Sequence, residues 1–188
     1  MQPMIRPAGT GDSLVSRMIG VSTLSRPVFS DIRRDVDATT QALIVVAIAA
    51  IAAGIGAIGS NQPGIVWQVI MAVIGWIVFS VVAFLIGSLF ASRDQHITLG
   101  QVLRLVGFAQ APKVIGALGF IPLVGWFAGL IAGIWFLVCA IYALREAFNV
   151  STISAVLIGL ISGAVVFGVT VLVGTVFNLA GNVLSWLF

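Results

Sequence analysis

The chain has 188 residues, of which 60% are hydrophobic and 8% are charged, and its net charge is +3. Since soluble domains have about 25% charged residues, this composition excludes a soluble fold and indicates an all-α protein embedded in lipid. The basic residues stand singly beside apolar runs, without the dense basic face that duplex binding needs, so no nucleic-acid partner is expected.

Residues 1–40 are the only long polar stretch and are predicted to form a cytosolic or interfacial arm. Asp12 and Ser13 suit the N-cap of a first short helix, and Pro27 suits the first turn of a second. Each helix has an apolar stripe opposite charged residues such as Arg17 and Asp31; the stripes are Leu14, Val15, Met18 and Ile19, then Val28, Phe29, Ile32 and Val36. We predict that both amphipathic helices lie on the membrane surface, the alternative being that they pack on the membrane-spanning bundle.

Residues 41–188 are predicted to form a five-span transmembrane domain, because five apolar segments approach or exceed the roughly 20 residues that cross a bilayer. These segments are residues 41–59, 65–90, 99–120, 123–144 and 154–177. The remaining tail is too short to cross and is expected to lie at the interface.

Small residues at four-residue spacing predict close helix packing within the chain, and they allow homo-oligomers or hetero-oligomers between chains. The strongest such positions are Gly125, Gly129, Gly133, Gly159 and Gly163. The glycine-rich pieces GIGAIG and GALG lack the strand-to-helix setting of phosphate-binding loops, so they too are interpreted as packing surfaces.

The third span is the segment around which we expect the others to be arranged. Arg104, Gln110 and Lys113 interrupt its apolar run, and Pro112 predicts a kink near Ala111. A cation inside a span costs roughly 2.5–3.5 kcal/mol on insertion scales, so these four residues are the candidate functional polar site. Lys113 is expected to reach the outer interface through the kink at Pro112, to be held by backbone carbonyls that the proline frees, or to line a wet pocket that takes an anionic lipid headgroup or solute.

The positive-inside rule places the N-terminus in the cytoplasm and the C-terminus outside, since lysine and arginine are confined to the arm, the third span and the second and fourth loops. With this orientation Arg104 and Glu146 fall near the same boundary. We predict an ion pair between them, with Asp94 as the rival partner of Arg104.

No catalytic or metal-binding constellation is expected. All six carboxylates lie outside the predicted spans, the single histidine His96 lies in a loop, and the single cysteine Cys139 lies in a different, apolar segment. No cofactor and no enzymatic activity are therefore predicted, and proton-coupled transport is disfavoured because no acidic residue or histidine lies within a span.

Three pieces of sequence resemble the Yip1 family, in its prokaryotic branch: Asp37-Ala38-Thr39 before the first span, the run from Gly107 to Pro112, and the run from Leu144 to Thr152 before the last span. The resemblance covers most of residues 31–163. It implies five spans, a cytosolic N-terminus and location in a prokaryotic cytoplasmic membrane. Eukaryotic members act in vesicle traffic and associate with Rab GTPases, but the Asp-Leu-Tyr motif of their arm is missing here, so a GTPase partner is not carried over.

Two functions are therefore expected. The first is a noncatalytic membrane-organising or adaptor protein of the trafficking type, with membrane lipids as partners. The alternative is a small channel, transporter or lipid-handling protein that uses the polar site around Gln110, Pro112 and Lys113.

Overall fold

A computed structural model describes residues 13–58, 64–91, 96–121 and 123–187, without the side chains of 177, 178 and 180–187. Within these residues, five helical segments are long and apolar enough to cross a membrane. The predicted all-α membrane fold is confirmed. The described residues form α1 (Leu14–Ser22), α2 (Arg26–Arg34), α3 (Ala38–Gly56), α4 (Ile65–Phe90), α5 (Leu99–Phe108), a 3₁₀ helix (Ala111–Phe120), α6 (Val124–Phe148) and α7 (Thr152–Leu187).

The third span consists of α5 and the 3₁₀ helix, and it occupies the centre of the bundle. Thr98 caps α5 through a capping box with Gln101. The predicted break at Pro112 is present, but the chain continues beyond it as a 3₁₀ helix of 10 residues, which is long for this conformation. α3, α4 and α6 all pack against this span, so its predicted central position is confirmed.

The long 3₁₀ helix is accompanied by close backbone contact among three glycines. A Cβ on Gly119 would lie 2.8 Å from the carbonyl oxygen of Gly56, and a Cβ on Gly125 would lie 2.7 Å from the Cα of Gly119. Real Cβ atoms do not approach backbone this closely. Gly56, in the GIGAIG piece at the end of α3, and Gly119, in the GALG piece of the 3₁₀ helix, therefore belong to packing surfaces, as predicted, and they pack on each other.

Both arm helices are docked on the bundle. Val21, Phe29 and Ile32 are fully buried in the core, and the indole of Trp135 in α6 donates to the Ser22 carbonyl oxygen at 2.7 Å. Only part of the predicted apolar stripes faces outward, namely Val15, Ile19 and Val36. Packing on the bundle, the alternative interpretation of the stripes, is what the structure shows.

Two predicted helix ends differ from the structure. α6 continues past Arg145 and Glu146 to Phe148, and Asn149 ends it in a left-handed conformation, φ 49°. α7 is one continuous helix of 36 residues, so its backbone continues through the tail that follows the predicted span 154–177. At about 1.5 Å per residue it extends roughly 54 Å, well beyond the hydrocarbon thickness.

Candidate functional site

The four candidate residues of the third span separate into two places. Arg104 lies on α5 under the arm, whereas Gln110 and Lys113 line a cavity among α4, α6 and α7. Pro112 is buried in the first turn of the 3₁₀ helix, at the point where the span breaks. The structure therefore brings Gln110 and Lys113 together and separates Arg104 from them.

The arm is held by a buried arginine, Arg17, at a contact that we name the arm junction. Its guanidinium pairs with Asp35 at 2.6 Å and Asp31 at 3.1 Å, and it donates to the Gln41 side chain at 2.9 Å. The Arg17 side chain is 7% exposed. The sequence placed Arg17 on the water-facing side of α1; the structure places it between the arm and the start of α3.

Arg104, on α5, contacts two residues beside the arm junction. Its guanidinium donates to the Arg33 carbonyl oxygen at 3.0 Å and to the Thr39 hydroxyl at 3.4 Å, and the charge of Asp35 attracts it. These contacts replace the water that a buried guanidinium loses, although its Nε has no hydrogen-bond partner. Arg104 thus joins α5 to α2 and α3.

The ion pair predicted between Arg104 and Glu146 does not form. Glu146 instead lies 3.9 Å from the guanidinium of Arg33, whose carbonyl oxygen accepts from Arg104, so Arg33 of α2 stands between the two residues. The rival partner, Asp94, lies outside the described residues.

Arg17 lowers the pKa of the Asp35 carboxyl. Burial alone would raise the pKa of the Asp35 carboxyl, but the hydrogen bond and positive charge of Arg17, with backbone N–H donors from Asp37 and Ala38, outweigh it. The pKa of Asp35 therefore lies below its ordinary value of 3.8. The carboxylate stays charged at neutral pH and keeps the arm junction intact.

The cavity beside the third span has a volume of about 770 Å³, and we name it the groove. Its walls are almost entirely apolar side chains of α4, α6 and α7, including Phe79, Leu137 and Phe167. Most of these residues are far from the ends of their helices, so the groove lies at membrane depth. Its volume is within the roughly 300–1,000 Å³ of small-molecule sites.

The family model of the Yip1 domain matches residues 20–174, which include most of the arm junction and the whole groove. The chain belongs to the Yip1 domain family. No curated protein and no solved structure matches the chain. The match begins within α1, so in this Yip1 protein the docked second arm helix is part of the family domain.

The ammonium of Lys113 is the charged group of the groove. It lies 3.7 Å from the centroid of the Phe136 ring, a cation–π contact. Within the described ranges, Lys113 makes no ion pair. Of the three expected positions for Lys113, the structure is nearest to the one that lines a pocket, although the walls here are mostly apolar; the attraction of this pocket for an anion stays a prediction.

The glycines of the small-residue prediction differ in what they contact. Gly125 is in backbone contact, and Gly159 faces Leu144, whose Cδ1 would lie 3.4 Å from an added Cβ. At Gly129, Gly133 and Gly163 an added Cβ would meet no atom of the described residues within 4 Å, so the packing predicted there is not a contact within that part of the chain. The alanines one residue before two of these glycines, Ala128 and Ala132, are buried instead. Association between chains through the open glycines stays a prediction.

Two features were not found from the sequence: Arg17 as a buried residue, and Phe136 as the neighbour of Lys113. A signal for Arg17 exists, since Asp31 and Asp35 lie four residues apart and can hold one guanidinium together. No local pattern relates Phe136 to Lys113, because they belong to different spans.

Proposed function

We propose that this Yip1 protein is a noncatalytic membrane-organising protein that holds an anionic lipid in the groove. The observation that carries the proposal is an apolar cavity of about 770 Å³ at membrane depth, with the ammonium of Lys113, which makes no ion pair among the described residues, on its wall. This joins the expected membrane-organising role to the lipid-handling alternative.

The walls of the groove favour an acyl chain as the occupant. At membrane depth the surrounding solvent is hydrocarbon, and side chains such as Leu137, Leu160 and Phe167 offer no hydrogen bonds to water or a polar solute. A polar substrate would leave its own groups unsatisfied there, at a cost of roughly 2–7 kcal/mol for each group. An ion or sugar pathway is therefore disfavoured.

Lys113 favours a negatively charged head group on that lipid. A cation in low dielectric is stabilised mainly by a nearby anion, and the ring of Phe136 supplies only part of that stabilisation. Gln110 also lines the groove and offers an amide that can donate to phosphate or carboxylate oxygens. The acyl chain would fill the groove while the head group is drawn toward Lys113.

We predict that Lys113→Met leaves folding intact, or improves it, and lowers the share of anionic lipid that copurifies with the protein. The reason is that the apolar walls remain while the anion-attracting charge is lost. The measurement is mass spectrometry of the lipids retained by parent and variant from one mixed anionic and zwitterionic membrane. Lys113→Arg keeps the charge and is the matched control.

A second variant tests the contribution of the cavity to lipid binding separately from that of the Lys113 charge. Gly163 lines the groove with open space beyond its Cβ, so Gly163→Phe should fill the cavity and lower retention of all lipids, with Lys113 untouched. If Lys113→Met retains the same anionic lipids as the parent, the anionic-lipid site is rejected and Lys113 is a structural residue.

We propose further that the N-terminus is cytoplasmic and the C-terminus is on the opposite side. An odd number of membrane crossings, which five membrane-length helices support, would put the two ends on opposite sides, and the arginines of the arm favour the cytoplasm for the N-terminus. A reporter fused after Phe188 is expected to be active only on the noncytoplasmic side. Activity in the cytoplasm would contradict this orientation.

A further inference from the structure

A small polar pocket lies between the arm and the end of α6, separate from the groove. It has a volume of about 140 Å³ and is bordered by Arg26, Tyr142, Arg145, Glu146 and Asn149, with Phe29 also contributing. A pocket this small is below the roughly 300 Å³ at which drug-sized ligand sites begin, so it suits one compact group.

The charges of this pocket are unbalanced. Its single carboxylate, Glu146, lies 3.9 Å from Arg33. Arg26 and Arg145 make no ion pair with any residue of the described segments, so two positive charges border the pocket without a carboxylate of their own. Guanidinium groups bind oxyanions through paired N–H donors, and phosphate is the anion for which their fork geometry is best suited.

One of the two arginines is held in place before any ligand binds. The guanidinium of Arg145 lies 5.5 Å from the centroid of the Tyr142 ring, a cation–π contact that limits its rotamers. Tyr142 and Asn149 add a hydroxyl and an amide that can donate to further oxygens. We propose that this pocket binds a phosphate group, with Arg26 and Arg145 as its ligands.

The phosphate group has two possible sources. The pocket lies where the arm helix α2 meets the end of a membrane-spanning helix, a level at which lipid phosphates are found, and it also suits the phosphate of a soluble molecule. Both sources share the same chemistry, an oxyanion recognised by two guanidinium groups. The experiment has one arm for each source.

In the first arm, purified protein in neutral detergent is titrated with inorganic phosphate, and in the second it is titrated with phosphatidic acid against phosphatidylcholine in mixed micelles. Thermal stability is followed in both. Arg26→Gln and Arg145→Gln are each compared with the parent and with Arg34→Gln, which removes the same charge from an exposed position of α2 outside the pocket.

We expect the parent and Arg34→Gln to be stabilised alike, and each pocket variant to need at least about tenfold more ligand, equivalent to about 1.4 kcal/mol. Stabilisation by inorganic phosphate indicates a soluble source; stabilisation by phosphatidic acid alone indicates a lipid. If Arg26→Gln or Arg145→Gln does not fold, the parent is compared with the remaining one of the two and with Arg145→Lys. The proposal is overturned if the parent responds to neither probe or if all three variants lose the response equally.

Discussion

Gly125→Ala is expected to destabilise the protein by about 1–3 kcal/mol, whereas Gly129→Ala, one turn further along α6, is expected to be neutral or stabilising. At Gly125 an added Cβ would overlap the backbone of Gly119, and backbone within a packed helix cannot move aside as a flexible side chain can. At Gly129 an added Cβ meets nothing, so the substitution brings only the roughly 1 kcal/mol helix propensity of alanine. Both variants replace a glycine of α6 by alanine, so they differ in what the added methyl group contacts.

The measurement is the free energy of unfolding of both variants and the parent in one detergent mixture. Gly56→Ala tests the same contact from α3, since its Cβ would lie 3.0 Å from the Gly119 nitrogen. Because both substitutions displace the 3₁₀ helix, the double variant should lose less than the sum of the two single losses. Equal unfolding free energies for Gly125→Ala and Gly129→Ala would show that the three-glycine contact does not hold the bundle together.

The three glycines show which features of the fold could be predicted from the sequence and which could not. The spans were predictable, because the bilayer leaves a chain few structures other than apolar helices of sufficient length. The presence of a break at Pro112 was predictable too, because proline lacks the N–H group and disfavours helix before it. That a 3₁₀ helix follows the break was not predictable, since no local signal relates Gly119 to Gly56 and Gly125.

The same limit applies to which small residues are in contact. Four-residue spacing marks Gly125, Gly129 and Gly133 equally, but only Gly125 lies in the first turn of α6, where the chain has just left the 3₁₀ helix. In the structure α6 packs through its alanines at positions 128 and 132, one residue before the glycines. A one-residue step turns a helix by about 100°, enough to move a glycine from the interface to the open face.

For the candidate site, the sequence indicated which polar residues interrupt the third span, and it did not indicate the cavity that two of them line. The third span was singled out because charge inside an apolar segment is costly, and Gln110 and Lys113 do lie on one cavity. The cavity itself depends on how α7 packs against α4 and α6, and the sequence holds no local signal for that arrangement. The Arg104–Glu146 pair was inferred from membrane depth alone, which omits the arm helix that lies between them.

Arg17→Met is expected to release the arm from the bundle while leaving the five spans folded. The substitution removes two ion pairs and the hydrogen bond to Gln41. Removing one partner of a buried pair costs about 3–5 kcal/mol, but Asp31 and Asp35 are 57% and 29% exposed and stay partly hydrated. We therefore expect a loss of about 1–3 kcal/mol, or roughly a tenfold to hundredfold loss of amide exchange protection in α1.

The matched control is Arg34→Gln, which removes an exposed arginine from the same arm and should leave α1 protection unchanged.

The pH dependence of α1 protection provides an independent measurement. Because the folded-state pKa of Asp35 is below its ordinary value of 3.8, the stabilisation that it brings is complete above that value and is lost as the pH falls through the folded-state pKa. Protection of α1, corrected for intrinsic exchange, should be constant from pH 7 to about 5, decline below about 4, and lose this pH dependence in Arg17→Met. If the parent and Arg17→Met show the same protection at neutral pH, the arm is held by the apolar contacts of Val21, Phe29 and Ile32, and the arm junction contributes specificity rather than stability.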